Sequence, residues 1–444
     1  LFNSLDNTKV ESAVKRDYPY GAIGSHVIGY VGKASKVDIK NNRISKYSGI
    51  IGKNGLEKFY NKKLQGELGF KNIKVNALNK EVEILEEKKP SKNNKVKTTL
   101  DIKLQKYVNE VFDKKSGAVI VMDVTNGEIL AAASFPEYDN NIFVSGISQE
   151  QWDVIRNDFN HPFTNKLVNG LYPPGSVIKM GVALSFLENG VKENYSVFDS
   201  GELTLGKRKF RCWKEKGHGH VNFNRAIRES CDDFFYKGSL TVGINKISKT
   251  LDKFGFGQKT GVDQVNEFKG VNPNKIWKKA RYNMPWYVGE TVISSIGQGF
   301  VLVTPMQIAR YTGFLASGKL VTPHFSKDNY KEPTTVDVNQ KHLNKMRRAM
   351  YEVANHPKGT LKNYIRGIKV KIAGKTGTAQ VVGIPQSEKK RMKEHELEYY
   401  HRSHAWVTTY APYKNPKYSV TIMVEHGGHG GAAAGQILKK VYNK

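Results

Sequence analysis

Cysteines and long apolar runs are scarce in this sequence. Only two of its 444 residues are cysteine, Cys212 and Cys231, which excludes the disulfide framework of a small secreted domain. No run reaches the roughly 18 consecutive apolar residues of a membrane-spanning helix. Hydrophobic residues still make up 39% of the chain and aromatic residues 11%. A sizeable core is therefore expected, intrinsic disorder is excluded, and the length indicates two or three domains.

Acidic residues are also scarce relative to basic ones. Forty-one Asp and Glu residues oppose 70 Lys and Arg residues, which gives a formal charge of +29. Such a balance favours an acidic partner, such as nucleic acid, an anionic membrane surface or a phosphate-bearing substrate. The lysines are spread along the whole chain and form no compact cluster with interleaved aromatic residues. Nucleic acid is therefore not expected as a partner.

Residues 173–179, Pro-Pro-Gly-Ser-Val-Ile-Lys, precede an apolar segment that ends at Gly190. The pattern predicts a buried helix that starts at Ser176 and carries Lys179 on the same face. Free backbone N–H groups and the positive end of the helix dipole lie at that end. A hydroxyl, an amine and oriented N–H donors can form an activated nucleophile beside an anion site. Alone the motif is weak, because about two chance matches are expected in a chain of this length.

Two further motifs follow and strengthen the first. Ser230-Cys231-Asp232 opens an aromatic helical segment, and Lys375-Thr376-Gly377 lies at the end of an apolar strand. Each residue alone has an ordinary explanation, such as helix capping or an exposed lysine on an edge strand. Ser-x-x-Lys, Ser-x-Asp and Lys-Thr-Gly in this order nearly match the motif set of β-lactamases and penicillin-binding proteins.

With their surroundings, these motifs resemble the class B penicillin-binding transpeptidases of the elongation (penicillin-binding protein 2) type. The resemblance covers nearly the whole chain, from Arg16-Asp17-Tyr18-Pro19 to residues 374–380. It implies an α+β fold with a smaller mixed pedestal domain of the dimerisation type at residues 1–97. Residues 98–444 would form the penicilloyl serine transferase (β-lactamase-like) transpeptidase domain, an antiparallel sheet flanked by helices plus an all-helical subdomain. Most relatives have Asn in place of Asp232, and Asp there is a feature of the elongation-type group.

The resemblance also implies a catalytic role for each motif residue. Ser176 would attack the penultimate D-Ala carbonyl of a D-alanyl-D-alanine peptide, and Lys179 would take the hydroxyl proton. Ser230 would relay this proton to the leaving amine. Asp232 would orient Lys179 or the substrate, and Lys375 would attract the substrate carboxylate. A second peptide's amine would complete the cross-link, and β-lactams would be held as slowly hydrolysed acyl-enzymes.

Substrate binding is implied for the residues that follow the motif lysine. Thr376, Gly377 and Thr378 would contact the substrate, and the backbone N–H groups of Ser176 and Thr378 would form the oxyanion hole. This chemistry requires no cofactor. Two alternatives use the same residues: a D,D-carboxypeptidase or β-lactamase with water as the acceptor, and a non-catalytic β-lactam sensor or scaffold.

Partners and location follow from the same resemblance. The substrates would be peptidoglycan stem peptides and their lipid-linked precursor. The protein partners would be a rod-shape scaffold protein of the MreC type and a RodA-type glycosyltransferase. Because the chain starts at Leu1 without methionine, we expect a single N-terminal membrane anchor outside it. The enzyme would then lie on the periplasmic face of the bacterial inner membrane.

A candidate metal site lies between the first two motifs. Asp199, Cys212, His218 and Cys231 offer a carboxylate, two thiolates and an imidazole, a set that suits tetrahedral zinc. Their spacing matches no standard zinc finger. Since Cys231 lies inside the Ser-x-Asp motif, a structural zinc ion could brace that motif from behind. A disulfide and two unconnected buried thiols are the alternatives, and His220 is the alternative histidine.

Overall fold

The computed structural model describes residues 15–91, 94–383 and 392–444. The helices are α1 (Ser25–Ile28), α2 (Lys36–Asn41), α3 (Arg43–Ser48), α4 (Gly55–Phe59), α5 (Asn61–Gln65), α6 (Ile102–Phe112), α7 (Asn141–Val144), α8 (Gln149–Arg156), α9 (Lys179–Glu188), α10 (Phe223–Arg228), α11 (Asp232–Val242), α12 (Ile244–Lys253), α13 (Lys275–Tyr282), α14 (Val288–Ser294), α15 (Pro305–Ser317), α16 (Gln340–Asn355) and α17 (Gly430–Tyr442). The strands are β1 (Val31–Lys33), β2 (Ile50–Gly52), β3 (Phe70–Val75), β4 (Glu81–Lys88), β5 (Gly117–Asp123), β6 (Ile129–Phe135), β7 (Ser196–Asp199), β8 (Glu202–Leu205), β9 (Arg208–Arg211), β10 (Gly219–Asn222), β11 (Lys319–Leu320), β12 (Thr334–Thr335), β13 (Ala373–Ala379), β14 (His404–Ala411) and β15 (Tyr418–Val424).

The chain divides into two compact units. The first contains the described residues up to Val96 together with Tyr138–Asn157, and the second contains Lys97–Glu137 and Asp158–Lys444. The domain limits predicted from the sequence, 1–97 and 98–444, stay a prediction. None of the helices in the described ranges is long and apolar enough to cross a bilayer.

Buried polar contacts join the elements of the first unit. Glu57 forms an ion pair with Arg16, whose Nε lies 2.8 Å from the carboxylate, and accepts a hydrogen bond from the Tyr18 hydroxyl at 3.3 Å. The amide of Asn140 donates to the Gly29 carbonyl at 2.7 Å. This contact joins residues 138–157 to the N-terminal segment, and both belong to the first unit.

The second unit is built on a five-stranded antiparallel sheet in the order β13-β14-β15-β5-β6. Neighbouring residues of β14 contact helices on its two faces, because side chains alternate along a strand. Thr408 Oγ1 lies 2.6 Å from Thr312 Oγ1 of α15, and Thr409 Oγ1 lies 3.0 Å from the Tyr442 hydroxyl of α17. Helices therefore cover both faces of the sheet, as the α+β prediction requires.

The helix that follows the first motif is buried along most of its length. Every residue from Lys179 to Leu187 is buried. Its start differs from the sequence prediction, because Gly175–Ile178 form a 3-10 turn and α9 begins only at Lys179. Gly175 has φ +55°, and a Cβ there would lie 2.7 Å from the Thr378 carbonyl oxygen. The close approach of β13 thus accounts for a tight turn entered through glycine.

Lys375 lies within β13 rather than at a strand end. The strand spans Ala373–Ala379, and Lys375 pairs with Thr408 of β14. The sequence Ala-Gly-Lys-Thr-Gly-Thr-Ala has low intrinsic strand propensity, which explains why the sequence pattern ended the predicted strand at Lys375, before its observed end at Ala379. Its pairing with a buried neighbour decides the conformation.

Candidate active site

Ser176 occupies the 3-10 turn at the N-terminal end of α9 and is half-buried. The N–H of the preceding Gly175 donates to the Gly297 carbonyl at 2.9 Å. Because Gly175 also lies against the Thr378 carbonyl, the loop that carries Ser176 is in contact with β13. The first and third motifs are therefore neighbours in space.

Lys179 is fully buried and turned towards the second motif. Its Nζ donates to Asp232 Oδ1 at 2.7 Å and to the Ser230 carbonyl at 3.0 Å. It also lies 3.4 Å from Ser230 Oγ. In the described part of the chain, the Ser176 hydroxyl has no hydrogen-bond partner. Lys179 thus shares a buried ion pair with Asp232 and contacts Ser230 of the second motif.

Ser230 is held between two lysine side chains. Its Oγ accepts a hydrogen bond from Lys375 Nζ at 2.9 Å and lies within reach of Lys179 on the other side. The backbone of Ser230 has φ +56°, a left-handed conformation that costs free energy in residues other than glycine. The strained turn aims the hydroxyl at both amines, just before α11 begins.

Lys375 is completely buried and donates a second hydrogen bond to the Thr376 carbonyl at 2.8 Å. Burial, and then the nearby charge of Lys179, hold the pKa of Lys375 well below the usual lysine value. A substrate carboxylate bound beside Lys375 would stabilise its charged form and so offset both effects.

Thr376, Gly377 and Thr378 follow Lys375 on β13, the edge strand of the sheet. An edge strand offers unpaired backbone groups to which an extended peptide can be added. Thr376 Oγ1 contacts Thr360 Oγ1 at 2.7 Å, which fixes its orientation. The structure thus brings every catalytic and substrate-binding residue predicted from the sequence into one site.

Sequence reasoning did not identify Trp213. Its backbone N–H donates to Asp232 Oδ2 at 2.9 Å, so Asp232 uses one oxygen for Lys179 and the other for Trp213. The indole Nε1 donates to the Glu229 carbonyl at 3.0 Å, and the side chain stays 49% exposed. No spacing rule pointed to this residue, because the contact joins a loop to a helix start.

Asp199, Cys212, His218 and Cys231 converge behind the second motif. All four are buried, and their ligand atoms lie within 4.8 Å of one another. His218 Nδ1 is 2.6 Å from Asp199 Oδ2, and Cys231 Sγ is 3.3 Å from the same oxygen. Both cysteines are free thiols, and His220 is exposed. The structure therefore groups the four predicted ligands and leaves the alternative histidine outside.

Hydrogen bonds within this cluster shift the pKa values of Cys212, Cys231 and His218. The hydrogen bond with Cys231 lowers the pKa of Cys212 to about 6, and the same contact raises the pKa of Cys231. Burial lowers the pKa of His218, but hydrogen bonds with Asp199 and Cys212 outweigh it and raise the value to about 9. These directions favour protons on His218 and Cys231, and a divalent cation bound by the cluster would have to replace them.

The cluster also contacts the catalytic motif directly. The backbone N–H of Asp232 donates to Cys212 Sγ at 3.4 Å. Cys212 therefore contacts the backbone of Asp232, the residue whose side chain binds Lys179. Trp213, the next residue, donates its backbone N–H to the Asp232 side chain. Any ligand that orders Cys212 would also order Asp232.

Two family models match the chain. The model described as penicillin binding protein transpeptidase domain matches residues 117–443, and the model described as penicillin-binding protein dimerisation domain matches residues 3–98. The chain belongs to the penicillin-binding protein transpeptidase family. The resemblance inferred from the motifs and the α+β fold with an N-terminal dimerisation-type domain are both confirmed.

Individual relatives of this penicillin-binding protein extend the similarity over almost its whole length. The peptidoglycan D,D-transpeptidase MrdA of Haemophilus influenzae is 36% identical over 98% of this chain and 69% of its own length. A chain in the structure of the complex between penicillin-binding protein 2 and MreC from Helicobacter pylori is 49% identical to this chain. The two superpose with a TM-score of 0.90 over 97% of this chain and 78% of that chain. Penicillin-binding protein 2 of Pseudomonas aeruginosa in complex with WCK 5153 has 31% identity and a TM-score of 0.85, over 99% and 92% of the two chains.

Proposed function

We propose that this penicillin-binding protein cross-links peptidoglycan stem peptides as a serine-type D,D-transpeptidase, with Ser176 as the nucleophile. Membership of the family and the similarity to named D,D-transpeptidases support the reaction class. One observation carries the residue assignment. Ser230 Oγ lies 2.9 Å from Lys375 Nζ and 3.4 Å from Lys179 Nζ, beside the turn that holds Ser176.

Acylation uses this arrangement as a proton path. Ser176 Oγ attacks the penultimate D-Ala carbonyl, a C–O bond forms, and the C–N bond to the terminal D-Ala breaks. The hydroxyl proton passes to Lys179 and then through Ser230 to the leaving amine. Since an ammonium cannot accept a proton, Lys179 first passes its own proton to Asp232, whose Oδ1 lies 2.7 Å away, and neutral Lys179 then accepts the Ser176 proton.

The remaining residues stabilise and align the substrate. Lys375 attracts the terminal carboxylate, and Thr376 and Thr378 donate hydrogen bonds to it. The backbone N–H groups of Ser176 and Thr378 stabilise the oxyanion, and each such donor contributes about 3 kcal/mol in related chemistry. The amine of a second stem peptide then attacks the acyl-enzyme, which forms the cross-link and releases Ser176.

We also propose that Asp199, Cys212, His218 and Cys231 hold a structural zinc ion. The chemistry itself needs no cofactor, and the metal would supply only rigidity. Two thiolates, an imidazole and a carboxylate are ligands that zinc prefers, and their burial and convergence support the assignment. Through the Cys212 contact, the metal would hold Asp232 in place.

The partners and location follow from the relatives. We place the enzyme at the periplasmic face of the bacterial inner membrane, with domains at 1–97 and 98–444. The complex with MreC of the H. pylori relative supports an MreC-type partner, and a RodA-type glycosyltransferase is proposed from the family resemblance. The β3–β4 hairpin exposes apolar side chains that suit a protein partner, namely Phe70, Ile73, Leu78 and Leu85.

Product analysis tests the reaction class. The purified protein is given a stem pentapeptide as the donor and a second peptide with a free side-chain amine as the acceptor. We expect the cross-linked peptide to form with release of D-Ala. Release of D-Ala with only the shortened peptide as the other product would instead favour a carboxypeptidase. Neither product and no β-lactam adduct would favour a sensor or scaffold.

A further inference from the structure

A short turn, which ends at Gly430, the first residue of α17, contacts the segment before Ser176 and the side chain of Thr378. Residues 425–430 have the sequence Glu-His-Gly-Gly-His-Gly and lead from β15 into α17. The first of these residues contacts the segment that precedes Ser176, and the last contacts Thr378 of β13. No sequence motif or proposed catalytic step uses this turn.

Glu425 holds the N-terminal side of the nucleophile loop. The Tyr172 hydroxyl donates to Glu425 Oε1 at 2.6 Å, and Ser116 Oγ donates to the other carboxylate oxygen. Burial, and then the Glu425 charge, raise the pKa of Tyr172, so its phenol stays protonated and remains a donor. Tyr172 lies four residues before Ser176.

Lys166 fixes the position of this carboxylate. Its Nζ lies 3.5 Å from Glu425 and donates to the carbonyls of Phe135 and Asn160 at 2.7 and 2.6 Å. The Lys166 side chain is only 1% exposed. Because a buried ammonium without a counter-charge is costly, Lys166 and Glu425 keep each other in place at the end of the sheet.

The segment between Tyr172 and Ser176 has little freedom. Tyr172 exchanges two backbone hydrogen bonds with Val303, both 2.9 Å long. The Trp406 indole donates to the Pro173 carbonyl at 3.1 Å, and the Tyr172 and Trp406 rings meet edge to face. These contacts, together with the Tyr172–Glu425 hydrogen bond, hold the segment that leads into Ser176.

Gly430 contacts Thr378, on the β13 side of the proposed oxyanion hole. Its N–H donates to Thr378 Oγ1 at 3.3 Å. A Cβ at this position would collide with the carbonyl oxygens of Gly377 and Trp406, so only glycine allows the turn to lie this close to β13. One end of the turn thus contacts Tyr172, three residues before the 3-10 turn of Ser176, and the other end contacts Thr378.

We propose that Glu425 is a positioning residue for acyl transfer. Through Tyr172 it fixes the nucleophile loop, while the opposite end of the same turn fixes Thr378. The turn therefore sets the separation of the two oxyanion donors. This inference rests on the roles proposed above for Ser176 and Thr378.

Acylation kinetics of Tyr172→Phe, Glu425→Gln and the double variant test this inference. A chromogenic β-lactam gives the acylation rate constant k2 and the dissociation constant Ks separately. We expect k2 to fall by about tenfold with Ks unchanged, because a displacement of about 1 Å can cost up to 10²-fold in rate. The double variant should be no slower than the slower single variant, since both substitutions weaken the same contact.

Two control variants separate positioning from stability. Glu290→Gln weakens another buried lysine–glutamate pair, with Lys278, in the same unit. Tyr410→Phe removes a buried hydroxyl that has no hydrogen-bond partner among the described residues. Both controls should keep wild-type k2, whatever their effect on Tm.

The outcomes are distinguishable from failure of the proposed function. If the Tm of Tyr172→Phe and Glu425→Gln falls as it does in Glu290→Gln while their k2 stays at the wild-type value, the turn has only a structural role. The inference is then wrong. Equal losses of k2 in the controls would also overturn it. If Glu425→Gln does not fold, the k2 value of Tyr172→Phe alone tests the inference. A β-lactam adduct on Ser176→Ala would instead refute the nucleophile assignment itself.

Discussion

Lys179 Nζ lies 2.7 Å from Asp232 Oδ1, and the two side chains are 0% and 11% exposed. This buried ion pair connects the first and second motifs and orients the Lys179 amine. Trp213 and Cys212 hold Asp232 from the other side. A loop that carries none of the predicted catalytic residues therefore helps to hold Lys179, through its contacts with Asp232.

Asp232→Asn should lower the free energy of unfolding by about 3 kcal/mol at neutral pH. The amide keeps the shape and the Trp213 contact but leaves the Lys179 charge without its partner, which is costly in a buried site. Denaturant unfolding monitored by fluorescence gives the value. Glu193→Gln, which weakens exposed pairs with Lys341 and Lys345, is the control. A loss no larger than in that control would show that the buried ion pair does not stabilise the fold.

Gly175→Ala should abolish or strongly slow acylation. The new Cβ would lie 2.7 Å from the Thr378 carbonyl oxygen at φ +55°, so the loop and β13 would have to separate. Gly190→Ala is the matched control, because Gly190 has φ +91° and nothing lies within 4 Å of its Cβ position. The control should lose about 1–2 kcal/mol of stability from backbone strain and keep its acylation rate. Equal acylation rates in the two variants would contradict the close-contact explanation.

The pH dependence of acylation should report Lys375. Burial and Lys179 lower the pKa of Lys375, so its positive charge is present below that pKa and is lost as pH rises through it. The second-order acylation rate should therefore decrease at a pH below about 10.4, the ordinary lysine pKa. Lys375→Arg should remove this decrease, because guanidinium stays protonated to above about pH 12. An unchanged alkaline limb in the variant would assign the decrease to another group.

Metal removal should destabilise the protein. We expect about one zinc ion per chain by elemental analysis, and a lower Tm after chelation because the metal binds only the folded state. His218→Ala should lose the metal, whereas His220→Ala, at the exposed histidine, should retain it. Stoichiometric zinc in His218→Ala, or no zinc uptake by the wild type, would contradict the proposed ligand set.

The sequence was sufficient to predict the α+β fold, and it singled out the residues of the three motifs and the four residues proposed to bind zinc, which cluster in the structure. Their side-chain chemistry is specific, and apolar periodicity places them on helices and strands. The 3-10 turn before α9 could not be predicted, because it results from the approach of Thr378. The same holds for Trp213, whose contact with Asp232 involves a backbone N–H that leaves no trace in residue type.

The Glu425 contacts also had no sequence signal. Tyr172 and Glu425 are 253 positions apart, and Lys166 is an ordinary lysine in a chain with an excess of basic residues. The antiparallel pairing of β15 with β5 brings the carboxylate beside Ser116, and Lys166 approaches it from the segment between α8 and the Ser176 turn. Long-range register of this kind is set by packing of the whole sheet, which local patterns do not encode.

Intact-mass analysis after exposure to a β-lactam tests the central claim most directly. The wild type should gain the mass of one β-lactam molecule per chain, and peptide mapping should locate it on Ser176. Ser176→Ala should fold with wild-type secondary structure and gain no mass. An adduct of the same mass on Ser176→Ala, or an adduct mapped to another residue of the wild type, would contradict the assignment of Ser176 as the nucleophile.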